Sequence, residues 1–207
     1  MFVDHLILAF DRAARTLSGA VLARRPSPAL KKVTPTLTDD ERSQSIGLMR
    51  VNHAGEVAAQ ALYQGQAIAS RSSAVRAKLD QAADEELDQL AWTRDRIHAL
   101  GGRTSLLDPL WYAGAFAIGA LAGAVSDKTS LGFLQATEEQ VEAHLASHLD
   151  RLPAADTASR AIVEQMKRDE ADHAETARSL GARELPRSAQ ALMKLSAKVM
   201  TTLAERV

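Results

Sequence analysis

Two short acidic segments, far apart in the chain, carry residue types that bind metal ions in helical proteins. In the segment Asp169–His173, Glu170 and His173 stand three positions apart. Residues three apart share a face of an α-helix, so the carboxylate and the imidazole would point the same way. Helix bundles that hold two iron or manganese ions use this Glu-x-x-His pair on two helices and a lone glutamate on each of two others. The segment therefore predicts one part of a dinuclear metal site.

The second segment, Glu85-Glu86-Leu87-Asp88-Gln89, repeats the order acid, glutamate, any residue, aspartate and ligand position. Here Gln89 occupies the position that histidine holds in the other copy. An amide oxygen can bind a hard cation, but we expect it to hold iron less tightly than an imidazole nitrogen does. Two outcomes stay open: an extra water on that ion, or an empty second site.

A lone glutamate precedes each segment by a similar distance. Glu56 lies thirty residues before Glu86, and Glu138 lies thirty-two residues before Glu170. Four facing helices would bring these carboxylates into one core, where burial without compensation would cost too much free energy. Two cations supply the compensation, and carboxylate and imidazole ligands suit iron or manganese better than zinc. The repeat, more than any single residue, predicts the dinuclear site.

Each of these residues also has an ordinary interpretation as a surface group. A single glutamate on a helix is usually solvated, although Glu56 lies in a stretch that has no other acid or base apart from a histidine. Glu138 and Glu139 are adjacent, so periodicity does not choose between them. His144 and His148 are interpreted as surface histidines.

Neighbouring residues extend the predicted site. Asp88 and Asp172 occupy matched positions beside the predicted ligands, and we expect them to orient those ligands from outside. His53 shares the helical face of Glu56, and Tyr63 follows it by two helical turns. Both side chains are therefore placed to approach the metals.

Helices must position these residues. The 207 residues suit one domain, residues 1–207, with an N-terminal helix and linker in 1–37 and a bundle and C-terminal helix in 38–207. Apolar residues make up 46% of the chain, and their spacing is near the helical period in most windows, which indicates an all-α fold. A net charge of −1 gives no electrostatic case for nucleic acid as a partner. The absence of cysteine excludes disulfides and thiolate ligands.

The N-terminal seventeen residues, MFVDHLILAFDRAARTL, are predicted to form an amphipathic helix that Pro26 and Pro28 end. Two interpretations of this helix stay open: packing on the bundle, and lying on an anionic membrane surface. Later boundaries follow from capping residues and breakers. The predicted helix starts are the capping box Thr38–Glu41, Ser72 or Ser73, Asp108-Pro109 and Asp156.

Residues 109–126 carry no charge and read PLWYAGAFAIGALAGAVS. The stretch is borderline for a transmembrane helix in length, and its alanine and glycine make it weakly hydrophobic. We favour a helix at the bundle edge that dips into the membrane interface, with Trp111 and Tyr112 at headgroup level. The alternatives are a buried helix of a soluble bundle and a dimer face that uses Gly119 and Gly123.

Several blocks of the sequence resemble the demethoxyubiquinone hydroxylases of ubiquinone biosynthesis. The resemblance extends from about Arg42 to the C-terminus. It implies a ferritin-like four-helix bundle with a carboxylate-bridged di-iron centre, which uses dioxygen to hydroxylate the ring of a polyprenyl benzoquinol. The blocks are LMRVNHAGEVAAQALYQGQ, DEELDQLAWT, SLLDPLWYAGAFAIGALAGAVSDKTSLGF, ATEEQVEAHL and MKRDEADHAETA.

The resemblance also implies the metal ligands. Glu86 and Glu170 would bridge the two irons, and Glu56 and Glu138 would be terminal ligands. The sixth family ligand is histidine, and Gln89 stands at that position, which predicts incomplete iron occupancy or impaired activity. The implied ligands are Glu56, Glu86, Glu138, Glu170 and His173.

The resemblance implies a location and partners as well. Family members associate with membranes without spanning them, so we expect a peripheral protein on the cytoplasmic face of a bacterial cell membrane. The expected partners are the polyprenyl quinol and either a second copy of the chain or other proteins of ubiquinone biosynthesis. The chain has no dinucleotide fingerprint, so electrons would come from the quinol, from a partner, or from NADH bound without that motif.

Two other functions remain as alternatives at this stage. A non-catalytic quinone-lipid-binding or scaffold protein would keep the bundle and lose tight metal binding, as Gln89 suggests. An iron-handling protein of the ferritin or rubrerythrin type is less consistent with a chain that has no cysteine and carries an apolar helix.

Overall fold

The computed structural model describes residues 2–30, 32 and 35–207, with side chains from residue 10 onward. Within these residues the chain forms seven α-helices and no strand, which confirms the all-α prediction. The helices are α1 (Phe2–Ser18), α2 (Asp39–Ala69), α3 (Ser73–Ala99), α4 (Asp108–Val125), α5 (Asp127–Arg151), α6 (Thr157–Ser179) and α7 (Arg187–Ala204).

Local capping explains most of these boundaries. Thr38 and Glu41 form the predicted capping box: the Glu41 amide donates to Thr38 Oγ1, and the Thr38 amide donates to a Glu41 carboxylate oxygen. Ser72 and Asp156 accept from backbone amides at the starts of α3 and α6. Gly181 follows α6 with a φ of 87°, a left-handed conformation that favours glycine.

The prediction that Pro26 and Pro28 end the first helix was wrong. Helix α1 ends at Ser18, and Gly19 follows with a φ of 68°. Glycine adopts this conformation without the steric cost of a Cβ, so the helix stops before any proline. Residues 19–30, called the N-terminal arm below, then run against the bundle, where Val21 is buried. Phe2 and Leu6 belong to the predicted amphipathic helix, and their side chains lie outside the described residues.

Helices α2, α3, α5 and α6 form the predicted ferritin-like four-helix bundle. The pairs α2–α3 and α5–α6 pack as two hairpins, and α3 with α6 and α2 with α5 make smaller contacts between them. Full burial of one leucine or isoleucine side chain in such a core stabilises the fold by about 1.5–3 kcal/mol. One apolar core cluster consists of Leu48, Met49, Trp92, Ile97, Leu145, Leu152, Ile162, Val163 and Met166.

Helix α4 packs along α2 and keeps its other face exposed. A Cβ on Gly119 would collide with the Leu62 carbonyl oxygen of α2, and one on Gly123 would come within 2.9 Å of the Gln66 oxygen. The alternative of a dimer face built on Gly119 and Gly123 was therefore wrong, because these glycines serve contact within the chain. The outer face exposes Leu110 and Leu121. None of the helices in the described ranges has the length and hydropathy needed to cross a bilayer.

Candidate metal centre

Three glutamates and a histidine converge in the bundle core. Glu86 of α3, Glu138 of α5, and Glu170 and His173 of α6 each bring one ligand atom within 4.8 Å of the other three. His173 Nδ1 lies 3.1 Å from Glu86 Oε1 and 3.5 Å from Glu170 Oε2. Ligand atoms that share one ion, each about 2.1 Å from it, stand about 3–4 Å apart. The cluster therefore has the dimensions of a metal site.

Glu56 approaches this cluster from α2. It is buried, and its pKa is raised well above the usual value, first by burial and then by the carboxylates of Glu86, Glu170 and Glu138. It is not among the four residues whose ligand atoms are mutually closest. The structure thus brings the five predicted ligands into one region and places Glu56 at its side. It also separates the adjacent candidates on α5, because Glu138 is buried while Glu139 is exposed and pairs with Arg178.

Burial and neighbouring charges shift the pKa values of several groups in the cluster. Burial, followed by the charges of Glu86 and Glu138, raises the pKa of Glu170 well above its usual value. Burial also raises the pKa of Glu138. Burial by itself would lower the pKa of His173, but contacts with three carboxylates outweigh it and raise that pKa. Metal ligands must be deprotonated, so a bound cation would lower the pKa values of these groups.

Unpartnered polar atoms in the core support a cation here. Both carboxylate oxygens of Glu86, Glu138 Oε1 and Glu170 Oε1 are buried without a hydrogen-bond partner among the described residues. Most buried polar atoms in proteins are paired, so a group of unpaired acceptors facing one another needs an explanation. Hard cations supply it, and carboxylate oxygens with an imidazole nitrogen suit iron or manganese. The residues present therefore fit the metal that the resemblance implies.

Gln89 is fully buried and lies on the same helical face as Glu86. Neither its amide oxygen nor its amide nitrogen has a hydrogen-bond partner within the described part of the chain. A buried amide left unpaired costs about 1–3 kcal/mol. The side chain is therefore available to bind an ion and is not committed to the protein core.

Glu85 is a site residue that sequence reasoning missed. Its Oε2 lies 2.8 Å from His173 Nε2, and this contact is the main reason that the pKa of Glu85 falls to about 2. A carboxylate on one ring nitrogen fixes the imidazole and turns the other nitrogen toward the metal. The repeat places Glu85 directly before a predicted ligand, but it does not show the contact with His173, because that contact depends on how α3 packs on α6.

The predicted orienting role fails for Asp172 and stays a prediction for Asp88. Asp172 is exposed, so that prediction was wrong for it. Asp88 is buried but pairs with Arg25 of the N-terminal arm. The physical reason is helical register. Asp172 and His173 are adjacent, and adjacent residues on a helix point in different directions.

Three further residues that the sequence singled out, His53, Tyr63 and His148, are all buried. The His53 ring contacts Thr93 Oγ1 at 3.2 Å, and burial lowers its pKa to about 4, so it is neutral at pH 7. Tyr63 is fully buried, with a hydroxyl that has no partner among the described residues. His148 was expected at the surface but is fully buried, because it lies on the inner face of α5.

A cavity of about 80 Å³ lies between α3, α5 and α6 and touches the cluster at His173. Glu85 and His173 line its polar side, and Leu134 is among the residues of its apolar side. One water occupies about 30 Å³ in the liquid, so this cavity admits water and molecules of similar size. A larger groove of about 610 Å³ at Arg42, Arg50 and Arg103 contains none of the predicted ligands.

The fold and this cluster define a class: a helix bundle with buried glutamates and a Glu-x-x-His pair in its core is the architecture of the di-metal carboxylate proteins. The chain belongs to the family described as "Ubiquinone biosynthesis protein COQ7", which residues 43–204 match.

Curated relatives cover almost the whole chain. A protein of Azoarcus sp. (strain BH72) is 56% identical, with 99% of each chain covered. One from Variovorax paradoxus (strain S110) is also 56% identical, over 99% of this chain and 98% of its own. One from Cupriavidus metallidurans is 55% identical, over 99% of this chain and 100% of its own. All three are named 3-demethoxyubiquinol 3-hydroxylase.

Proposed function

We propose that the protein is a di-iron monooxygenase that hydroxylates the ring of demethoxyubiquinol, a polyprenyl methoxy-methyl-benzoquinol, with dioxygen. The observation that carries this proposal is the buried cluster of Glu86, Glu138, Glu170 and His173, whose ligand atoms lie within 4.8 Å of one another. The names of the relatives support the substrate and the reaction. Residues 1–207 would act as one ferritin-like di-iron domain.

Each ligand would have a defined part in holding the irons. Glu86, Glu138, Glu170 and His173 would hold the iron together with Glu56, and Gln89 stands at the sixth ligand position. The iron, when bound, supplies the activation of dioxygen, and the protein supplies position and a dry environment. Glu85 would hold the His173 ring in register through Nε2.

The exposed apolar face of α4 supports a membrane source for the substrate. Leu110 and Leu121 are 60% and 70% exposed on a helix whose residues 109–125 carry no charge. A helix lying in the headgroup region would bring the bundle to a quinol whose tail stays in the bilayer. We infer a peripheral protein on the cytoplasmic face of the bacterial cell membrane, reduced by NADH or by the quinol itself.

Hydroxylation by the reconstituted protein tests this function. Protein loaded with ferrous iron under anaerobic conditions is mixed with demethoxyubiquinol, NADH and oxygen, and the product is detected by mass spectrometry. Glu138→Gln should lower the rate more than about 100-fold. This loss is larger than the loss typical of a residue that contacts a metal ligand but not the metal. The matched variant Glu139→Gln changes an exposed neighbour and should retain the wild-type rate. No product from the iron-loaded wild type or from Gln89→His would contradict the proposal.

A second candidate function follows from Gln89. A protein that binds iron poorly at this position could serve as a non-catalytic quinone-lipid-binding or scaffold protein of the same biosynthesis. Metal analysis separates the two functions, because the scaffold predicts well under one iron per chain. Helicity and quinone binding would be intact in that case.

A further inference from the structure

The N-terminal arm and the end of α1 follow a row of aspartates on α3. Asp80, Asp84 and Asp88 are spaced four residues apart, so they line one face of the helix. Arg12 pairs with Asp80, and Arg24 pairs with Asp84 at 3.1 Å. Arg94 of α3 in turn donates to the carbonyl oxygens of Gly19 and Val21.

Arg25 differs from the other arginines of this row because its partners are largely buried and belong to two helices. Its Nε donates to Asp88 Oδ2 at 2.7 Å, and its terminal nitrogen donates to Asp169 Oδ2 of α6 at 2.9 Å. The side chains of Asp88 and Asp169 are 5% and 12% exposed. By contrast, the Arg24–Asp84 pair is largely exposed, and exposed pairs contribute little to stability.

Further contacts fix the Arg25 fork in place. The backbone amides of Arg24 and Arg25 donate to Asp88 Oδ1 at 2.6 and 3.3 Å. The guanidinium lies 4.8 Å from the centre of the Trp92 ring, and Trp92 Nε1 donates to the Arg25 carbonyl oxygen. The planar guanidinium can reach two carboxylates at once, which the single ammonium of a lysine does not reproduce.

The two aspartates stand next to the candidate ligands. Asp88 lies between Glu86 and Gln89 on α3, and Asp169 directly precedes Glu170 on α6. Helices α3 and α6 contact each other far less than either contacts its own hairpin partner. The Arg25 fork therefore ties together the two segments that carry Glu86 and Glu170, close to the carboxylates that repel one another.

We propose that Arg25 is a positioning residue of the metal centre. It sets the distance between the α3 and α6 ligand segments through Asp88 and Asp169, although it lies outside residues 43–204 that match the family. This inference rests on the proposed function only in taking the cluster to be a metal site.

Cobalt binding to the metal-free full-length protein tests the inference without any turnover. Co²⁺ is titrated into the wild type, Arg25→Met, Arg25→Lys and Arg24→Met, and its visible d–d absorbance reports both affinity and ligand geometry. Removing a residue that holds a metal ligand in place through a hydrogen bond typically weakens metal binding about 10–100-fold. Arg25→Met should show a weakening in this range and an altered d–d spectrum. Arg25→Lys should fall between it and the wild type.

Arg24→Met is the matched control, since it removes an adjacent arginine that has an exposed partner. It should leave both the affinity and the spectrum unchanged. Wild-type cobalt affinity and spectrum in Arg25→Met, even with a lower melting temperature, would overturn the proposal. If Arg25→Met does not fold, Arg25→Lys is judged by the same criterion. Normal cobalt binding without hydroxylation by the iron form would contradict the proposed function and leave the role of Arg25 intact.

Discussion

At the scale of single residues, position 89 distinguishes the two halves of the acidic repeat. The Glu-x-x-His pair on α6 is complete, whereas its counterpart on α3 ends in Gln89. The structure keeps this amide buried and unpaired beside Glu86, as a ligand position would require. A neutral amide oxygen is a weaker donor to iron than an imidazole nitrogen, so the consequence is measurable as metal content.

We predict that Gln89→His raises the iron content toward two per chain and raises the hydroxylation rate with it. Gln89→Leu, which keeps the volume and removes the donor, should lower the iron content below that of the wild type. Iron per chain after ferrous loading and desalting gives the order His above Gln above Leu. Equal iron content in the three proteins would show that residue 89 is not a ligand.

At the scale of elements, the contact between α4 and α2 sets where the apolar helix lies. Gly65 of α2 and Gly119 of α4 bring the two backbones together, since a Cβ at either would meet backbone atoms of the other helix. Close approach of this kind needs glycine because backbone atoms cannot move aside as a flexible side chain can. The sequence suggested a contact surface at Gly119 but not that the partner is α2.

We predict opposite effects for two glycine substitutions on α4. Gly119→Ala forces the helices apart and should destabilise the protein by about 1–3 kcal/mol, the usual cost of overpacking. Gly114→Ala has open space around its Cβ and should stabilise it by up to about 1 kcal/mol through helix propensity. Urea unfolding measures both. Equal stability of the two variants would mean that α4 does not pack on α2 in this register.

At the scale of the whole molecule, α4 is one of two helices, with α7, that expose several large apolar side chains among the described residues. Leu110, Leu121 and Val125 face outward on a helix with no charge after its first residue. Isolated exposed leucines are ordinary, but a continuous apolar helix face on a folded protein marks an interaction surface. This face of α4 is the surface on which the proposed membrane contact rests.

We predict that vesicle binding depends on this face. The double variant Leu110→Ser/Leu121→Ser should bind phospholipid vesicles at least about tenfold more weakly. The two leucines together would lose more than about 1.4 kcal/mol of burial in the membrane, and that energy corresponds to a tenfold change in affinity. Leu22→Ser/Leu30→Ser removes two leucines that are 88% and 75% exposed on the N-terminal arm, and should bind as the wild type does. Sedimentation with vesicles measures both. Loss of binding in the arm variant alone would show that the N-terminal arm, and not α4, contacts the membrane.

The sequence by itself determined the helices and the identity of the acidic repeat. Capping boxes, glycines and the three-residue spacing of Glu170 and His173 act within one or two helical turns, so they can be read without knowing the fold. The tertiary structure decided what depends on contact between helices. It buries Glu138, exposes Glu139 and pairs Glu85 with His173. It also brings Arg25 to Asp88 and to Asp169, which is 144 residues away in the sequence. These pairings depend on the rotation and spacing of packed helices, which local periodicity does not encode.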